Sequence, residues 1–326
     1  MKKALFTMKK NKVLVTGATG FVGSNLVRRL ISKGYDVSIL TRATSNKWRI
    51  KDILSEVSDY RVDLLDMTRL KKVVKKINPQ IIFHLATAAI YADRHLPERD
   101  LVSHNLIGAL NLIEACQNLD YQCFVNTGTS SEYGPKSFPM RESDICQPVN
   151  MYGVTKLAAT LYCSLVARAK NKPIITLRLF SPFGPYDVPS KLMFYAINQA
   201  IENKDMSLGD PASVRDYCYT DDVISLYLKC ISRAYRYRGE VFNVGSGIQS
   251  RIGDIVKSIV RLSGSKSRLF WKTQESRSFE KNVEVWKADI SKTKECLDWQ
   301  PKYTMEKGLK KTIFWFQKHQ GLVKGL

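Results

Sequence analysis

The sequence predicts an α/β fold, a doubly wound parallel sheet with a smaller, mostly C-terminal α/β domain. Three observations predict it. Short apolar runs alternate with amphipathic stretches of helical period through the first half of the chain. A glycine-rich turn separates the first apolar run from the first helical stretch. After Phe180 the alternation stops at the rigid turn Ser181-Pro182-Phe183-Gly184-Pro185, and a mixed remainder follows.

The elements justify this in order. Lys12 to Thr16 reads as a buried strand, followed by a helix from Gly20 to Lys33 with Val22, Leu26 and Leu30 on one face. Tyr35 to Leu40 and Tyr60 to Val62 are the next strands. The helix from Thr68 to Ile77 has Val73, Val74 and Ile77 inside and Lys71, Lys72, Lys75 and Lys76 on a solvated face. Strands at Ile81 to Ala86, Phe124 to Thr127 and Ile174 to Phe180 alternate with helices near Glu98 to Asn118 and Asn150 to Ala169. Strands this apolar belong to a parallel sheet covered on both faces, with a ligand crevice at their C-terminal ends. One further helix runs from about Lys191 to Asn203. The expected division is residues 1–180 with a returning segment near 218–245, against 181–217 and 246–326.

Composition excludes several classes. The chain has 326 residues, 44% of them hydrophobic, as an ordinary globular protein does and a disordered one does not. No apolar run approaches the roughly 20 residues of a membrane span. Ala4-Leu5-Phe6 is too short for a secretory core, so a cytoplasmic protein is expected. The net charge of +21 invites a nucleic-acid reading, but ten of those charges sit at the two ends and most of the rest are scattered. No nucleic-acid or membrane partner is expected. The seven cysteines form no C-x-x-C pair, and Cys116, Cys123, Cys163 and Cys230 read as core residues of a reducing compartment. The four histidines lack metal-ligand spacing, so no metal is expected.

The chemistry lies in two motifs. Gly17, Gly20 and Gly23 have G-x-x-G-x-x-G spacing between a strand and a helix. Gly17 allows the tight turn, Gly20 admits a pyrophosphate to the helix N-terminus, and Gly23 lets helix and strand pack closely. This is a Rossmann-type dinucleotide site. Thr41 stands where an acid would bind a ribose 2′-hydroxyl, and Arg42 follows. A guanidinium there can pair with a 2′-phosphate, which points to NADP; as a solvated loop arginine it would leave NAD as the alternative. Asp63 can accept a bond from an adenine amino group, and Leu85 and Ala86 suit an apolar wall. The expected cofactor shell is completed by Thr19, Phe21, Val22, Leu64, Thr87 and Lys156. Tyr152 and Lys156 stand four apart on one helix face. A nearby ammonium lowers a phenol's pKa and fits it for proton transfer near neutral pH. Thr129, after the preceding strand, can hydrogen-bond a substrate oxygen.

With these motifs the chain resembles the extended short-chain dehydrogenase/reductases, in the branch acting on nucleotide sugars. Further matching pieces are His84-Leu85-Ala86, Asn105, Arg178 through Pro185, Arg215-Asp216-Tyr217, Asp221-Asp222-Val223, Phe242 through Gly245 and Leu297 through Pro301. The resemblance implies that Tyr152 is the acid/base, that Lys156 tunes it and holds the nicotinamide ribose, and that Thr129 orients the reacting C–O group. It implies a nucleotide-sugar substrate held by Thr129, Ser130, Ser131, Tyr152, Ser181 and Arg215. Arg277 with Glu280 would hold the nucleotide side, unless Arg277 is an ordinary surface arginine. Where many relatives have asparagine, Ser181 stands, and Gly209-Asp210-Pro211 departs from the usual sugar-side loop. The place of the dehydratase base is Ser131, with Glu132 one position on, so 4,6-dehydration is disfavoured.

Arg42, the Thr129, Tyr152 and Lys156 set and the missing base point to an NADPH-dependent reductase of a 4-keto-6-deoxy sugar; Thr127 to Gly134 with Ser181 to Pro185 most resembles the CDP-paratose and CDP-abequose synthase type, which implies deoxysugar and polysaccharide biosynthesis. The alternative is an NAD-dependent nucleotide-sugar 4-epimerase. An alternative of another class is a non-catalytic dinucleotide-binding or RNA-associated protein. The resemblance also implies a homodimer through helices near 98–118 and 150–170. Leu110, Ile113, Leu161 and Leu165 line that seam or face the sheet.

Overall fold

The computed structural model describes residues 11–88, 96–272 and 283–323. In chain order β1 (Lys12–Thr16) leads through the glycine turn to α1 (Phe21–Ser32). Then come β2 (Asp36–Thr41), a 3₁₀ segment Trp48–Glu56, β3 (Ser58–Arg61) and α2 (Met67–Ile77). β4 (Ile81–His84) precedes a long helical run: α3 (Glu98–Leu101), a π-helical stretch Val102–Ile107 and α4 (Gly108–Cys116). β5 (Cys123–Thr129), α5 (Met151–Ala169) and β6 (Ile174–Leu179) complete the first half.

Beyond it lie β7 (Ser181–Phe183), α6 (Leu192–Ile201), β8 (Met206–Leu208), β9 (Val214–Tyr219), α7 (Thr220–Cys230) and β10 (Val241–Val244). Last come β11 (Gln249–Arg251), α8 (Ile252–Ser263), β12 (Leu269–Trp271), α9 (Ser291–Leu297), α10 (Met305–Lys318) and α11 (Gln320–Val323).

The main sheet has seven parallel strands in the order β10-β6-β5-β4-β1-β2-β3. Crossovers on both sides of β1 make it doubly wound. Alternate residues of each central strand enter different cores. Val13, Val15, Phe83 and Val125 pack with α1 and α7, while Leu14, Ile82, Phe124 and Ile174 pack with α2, α4 and α5. A third core gathers α6, α8, α10 and the short strands after β6.

Most elements lie within a residue or two of their expected ends. β5 runs two residues past Thr127, because Gly128 and Thr129 still pair with Arg178 and Leu179 of β6. β4 stops at His84, where Leu85 and Ala86 turn toward Thr16. The lysines of α2 lie on its exposed side, as its period requires. The α4 and α5 positions separate: Ile113 is buried against the sheet and Leu110 half-buried, whereas Leu161 and Leu165 are 60% and 63% exposed. Among the described residues, no helix is long and apolar enough to cross a membrane.

Candidate functional site

The glycine turn is built by close approach. Gly17 has φ +70°, in the left-handed region, and a Cβ there would lie 2.5 Å from the Ala86 nitrogen. A Cβ on Gly23 would lie 2.1 Å from the Gly17 carbonyl oxygen, so α1 seats directly on the turn. Gly20 differs, being exposed, with only the Gly17 oxygen near its missing Cβ, at 3.2 Å. It is the N-cap of α1 and supplies no side-chain cap. Uncapped first-turn N–H groups beneath an exposed glycine fit a dinucleotide pyrophosphate. Thr19 and Val22 are part-exposed here, while the Phe21 side chain is buried, which leaves Phe21 its backbone N–H for that role.

The turn after β2 holds Arg42. Its Nη1 lies 3.4 Å from His104 Nε2, and its backbone N–H donates to Ser45 Oγ. Thr41 is buried and donates to Asp59 at 2.7 Å. Asp63 accepts from the Leu65 N–H at 2.9 Å, which shapes the turn carrying Leu64. Leu85 is buried, Ala86 half-buried and Thr87 exposed. Asn105, inside the π-helical stretch, fixes this wall: its Oδ1 accepts from Ala88 N and Thr87 Oγ1, and its Nδ2 donates to Ala88 O and Thr155 Oγ1. The wall is thereby tied to α5.

Helix α5 begins at Asn150, whose Oδ1 accepts from the Gly153 N–H at 2.8 Å. The cap places Tyr152 in the first turn, half-buried, and Lys156 one turn on, only 2% exposed. Burial pulls the Lys156 pKa down, and the Glu132 carboxylate works against that pull. Thr129, 8% exposed, closes β5. Its oxygen accepts from the Ser131 N–H at 3.3 Å, so its own proton remains to be donated. Ser130 is buried and accepts from Trp286 Nε1 at 3.2 Å, and Ser131 is half-buried.

Glu132 is fully buried. One oxygen accepts from the Thr129 N–H at 2.9 Å and the other pairs with Arg178 Nε at 2.7 Å. Burial opposes the Arg178 charge most strongly, but Glu132, together with Tyr133 and Cys146, outweighs it and leaves the guanidinium pKa raised. A Cβ on Gly128 would lie 2.6 Å from Glu132 Oε1, so that glycine makes room for the carboxylate. Glu132 is therefore a structural anion that holds Thr129, and the Ser131 position carries no base.

Across the cleft, Ser181 pairs with Tyr217 in the β7–β9 ladder, and Arg215 lies on β9. The Arg215 guanidinium stacks over Trp286, 5.4 Å from its centroid. Asp210 accepts from the Ala212 N–H at 2.8 Å, which shapes the loop between β8 and β9. Arg277 and Glu280 lie outside the described residues. Sequence reasoning missed Trp286, for which no spacing gives a signal. It named Asp216 only as part of a matching stretch and gave it no role; the structure shows a buried carboxylate accepting from Ser246 N, Ser246 Oγ, Gly247 N and Ala288 N. Among the described residues no acid, cysteine and histidine cluster could hold a metal.

Comparison with known proteins places this geometry. The profile of the NAD dependent epimerase/dehydratase family matches residues 13–245. A UDP-glucuronate 4-epimerase from Thermodesulfobacterium geofontis is 29% identical, over 96% of this chain and 98% of its own. The crystal structure of a Thermotoga maritima UDP-glucose 4-epimerase with UDP-glucose aligns with TM-score 0.86 and 28% identity, covering 94% of this chain and 99% of that one. A Bacillus cereus UDP-glucuronic acid 4-epimerase, in complex with NAD and a fluorinated UDP-sugar, aligns with TM-score 0.83 and 28% identity, covering 94% and 99%.

Proposed function

The chain belongs to the NAD dependent epimerase/dehydratase family, and from that premise we propose that it is a nucleotide-sugar 4-epimerase that keeps NAD bound and acts on a uridine diphosphate hexose. Nearly full-length similarity to 4-epimerases supports this over the 4-keto reduction expected from the sequence. The observation that carries it is the Thr129, Tyr152 and Lys156 cluster beside a Glu132 whose two oxygens are already committed. That cluster can move a proton at a sugar hydroxyl, and the carboxylate next to it in sequence, Glu132, is not free for dehydration.

NAD held there would supply a reversible hydride acceptor for C4. Tyr152 removes the C4 hydroxyl proton, holds it while the carbon is a ketone, and gives it back. Lys156, buried and cationic, favours the tyrosinate through its charge. Thr129 donates its free proton to the same oxygen and keeps it in reach of Tyr152. Arg215, braced on Trp286, and Ser181 hold the diphosphate. The first-turn N–H groups of α1 with Asp63 and Leu85 hold the cofactor. Arg42, extended toward His104 on the neighbouring helical run, then acts as an ordinary loop cation. The chain pairs with a second copy through the exposed Val154, Leu161 and Leu165 of α5.

The test is incubation with UDP-glucose and UDP-glucuronate, followed by NMR of the sugar and identification of the nucleotide released on denaturation. The expected outcome is a mixture of C4 epimers, no net cofactor consumption, and released NAD. Consumption of NADPH with a 4-keto-6-deoxy nucleotide sugar, without epimer formation, would instead select the reductase.

A further inference from the structure

Four buried polar side chains lie side by side across the middle of the sheet. Thr16 of β1 is in register with His84 of β4, His84 with Asn126 of β5, and Asn126 with Thr176 of β6. They share the face of Leu14, Ile82, Phe124 and Ile174, which packs beneath α4 and α5. The two ends of the row are closed: Thr16 Oγ1 and His84 Nδ1 are 2.7 Å apart, and Asn126 Nδ2 donates to Thr176 Oγ1 at 3.2 Å. The middle is open. His84 Nε2 and Asn126 Oδ1 are buried without a hydrogen-bond partner, and so is Thr160 Oγ1. Thr160 lies one turn beyond Lys156 on the buried side of α5.

Proton positions follow from the network. Thr16 Oγ1 already accepts from the Ala86 N–H at 3.2 Å. His84 Nδ1 is the acceptor within reach of the Thr16 proton, and that donation corresponds to a neutral ring protonated on Nε2. A donor on β4 thus faces the Asn126 acceptor on β5, without direct contact. The unmet atoms of His84 and Asn126 stand at paired positions of neighbouring strands, and that of Thr160 is on the buried side of α5; a donor, an acceptor and a hydroxyl match the needs of one water, whereas each left unmet costs about 1–3 kcal/mol.

We propose that one internal water sits between His84, Asn126 and Thr160 beneath α5, and that His84 and Asn126 act through it as positioning residues for Lys156. The water accepts from His84 and donates to Asn126 and Thr160. Hydrogen bonds then run unbroken from Ala86, in the cofactor wall, to β6. Lys156 is faced by His84 from β4, by Glu132 from the turn after β5, and by Cys163 and Tyr152 on its own helix. Of these only Glu132 is an anion, so oxygen dipoles beneath the helix add to what keeps the ammonium charged.

The test combines a crystal structure of the full chain, at a resolution showing ordered water, with nitrogen NMR of His84. The expected result is density in reach of all three atoms and a ring proton on Nε2; a dry gap overturns the proposal. Asn126→Leu removes the acceptor at similar volume. It is expected to expel the water and move the alkaline limb of the epimerisation pH profile down by roughly half to one unit. His84→Phe does the same, and His84→Gln, whose amide keeps a donor near the Nε2 position, rescues it. A folded Asn126→Leu enzyme with an unmoved profile also overturns the proposal. If that variant does not fold, Thr160→Val gives the same readout. The pH arm rests on the epimerase reading; the water and the ring proton are read without substrate, so the two failures are distinguishable.

Discussion

Glu132 and Asp216 are both hidden from solvent, one on each side of the cleft, and they are held in opposite ways. Glu132 has a cation, Arg178, and one backbone N–H. Asp216 is held instead by three backbone N–H groups and a hydroxyl. The first arrangement joins two neighbouring strands of the main sheet. The second joins β9 to the segments after β10 and before α9. A charge can be buried by pairing it or by saturating it with dipoles, and the two solutions fail differently.

Removing Glu132 is the largest expected effect. Glu132→Ala leaves the Arg178 guanidinium buried and unpaired, and should cost about 3–5 kcal/mol in denaturant unfolding. A loss below about 1 kcal/mol would show that the pair adds little. Asp216→Asn turns an acceptor into a donor facing N–H groups, and should cost about 1–3 kcal/mol by the same measurement. Near-equal losses in the two variants would erase the distinction between them.

His84 shows a third solution, loss of charge. Burial, with the Lys156 charge, holds its pKa down at about 3 against an ordinary 6.5. Between those values the unfolded chain binds a proton that the native ring refuses, so stability falls as pH drops through this window. At pH 5 the loss should be about 1–2 kcal/mol, and His84→Gln should flatten that part of the curve. An unchanged slope would mean that His84 is charged in the fold. The smallest effect on the monomer belongs to the surface. Leu161→Arg with Leu165→Arg should change unfolding by no more than about 0.5 kcal/mol, yet convert a dimer to a monomer in light scattering. A wild-type chain that is already monomeric would remove the proposed pairing.

The legible parts of the sequence are those whose signal is local. The strand and helix alternation, the Gly17 turn and the Tyr152/Lys156 pair each lie within one element or its neighbour, and each stands where expected. The choice of reaction was read less well. Arg42 suggested a 2′-phosphate, yet the structure points its side chain toward His104, which is 62 positions away in sequence. The Glu132 partner is 46 positions distant and the Ser130 partner, Trp286, 156. Pairings of that kind depend on strand register and on the return of the chain, and no spacing encodes them.

The π-helical stretch between α3 and α4 has an architectural consequence. An α-helix turns about 100° per residue, and the wider turn at Val102–Ile107 is what lets α3 and α4 keep their separate faces while Asn105 points inward. Losing one residue there would restore regular winding and rotate everything on one side of the joint relative to the other. The segment is therefore length-locked: sequence drift at Val102 or Ile107 is affordable, but a single-codon deletion would at once unhook the Thr87–Ala88 segment from α5.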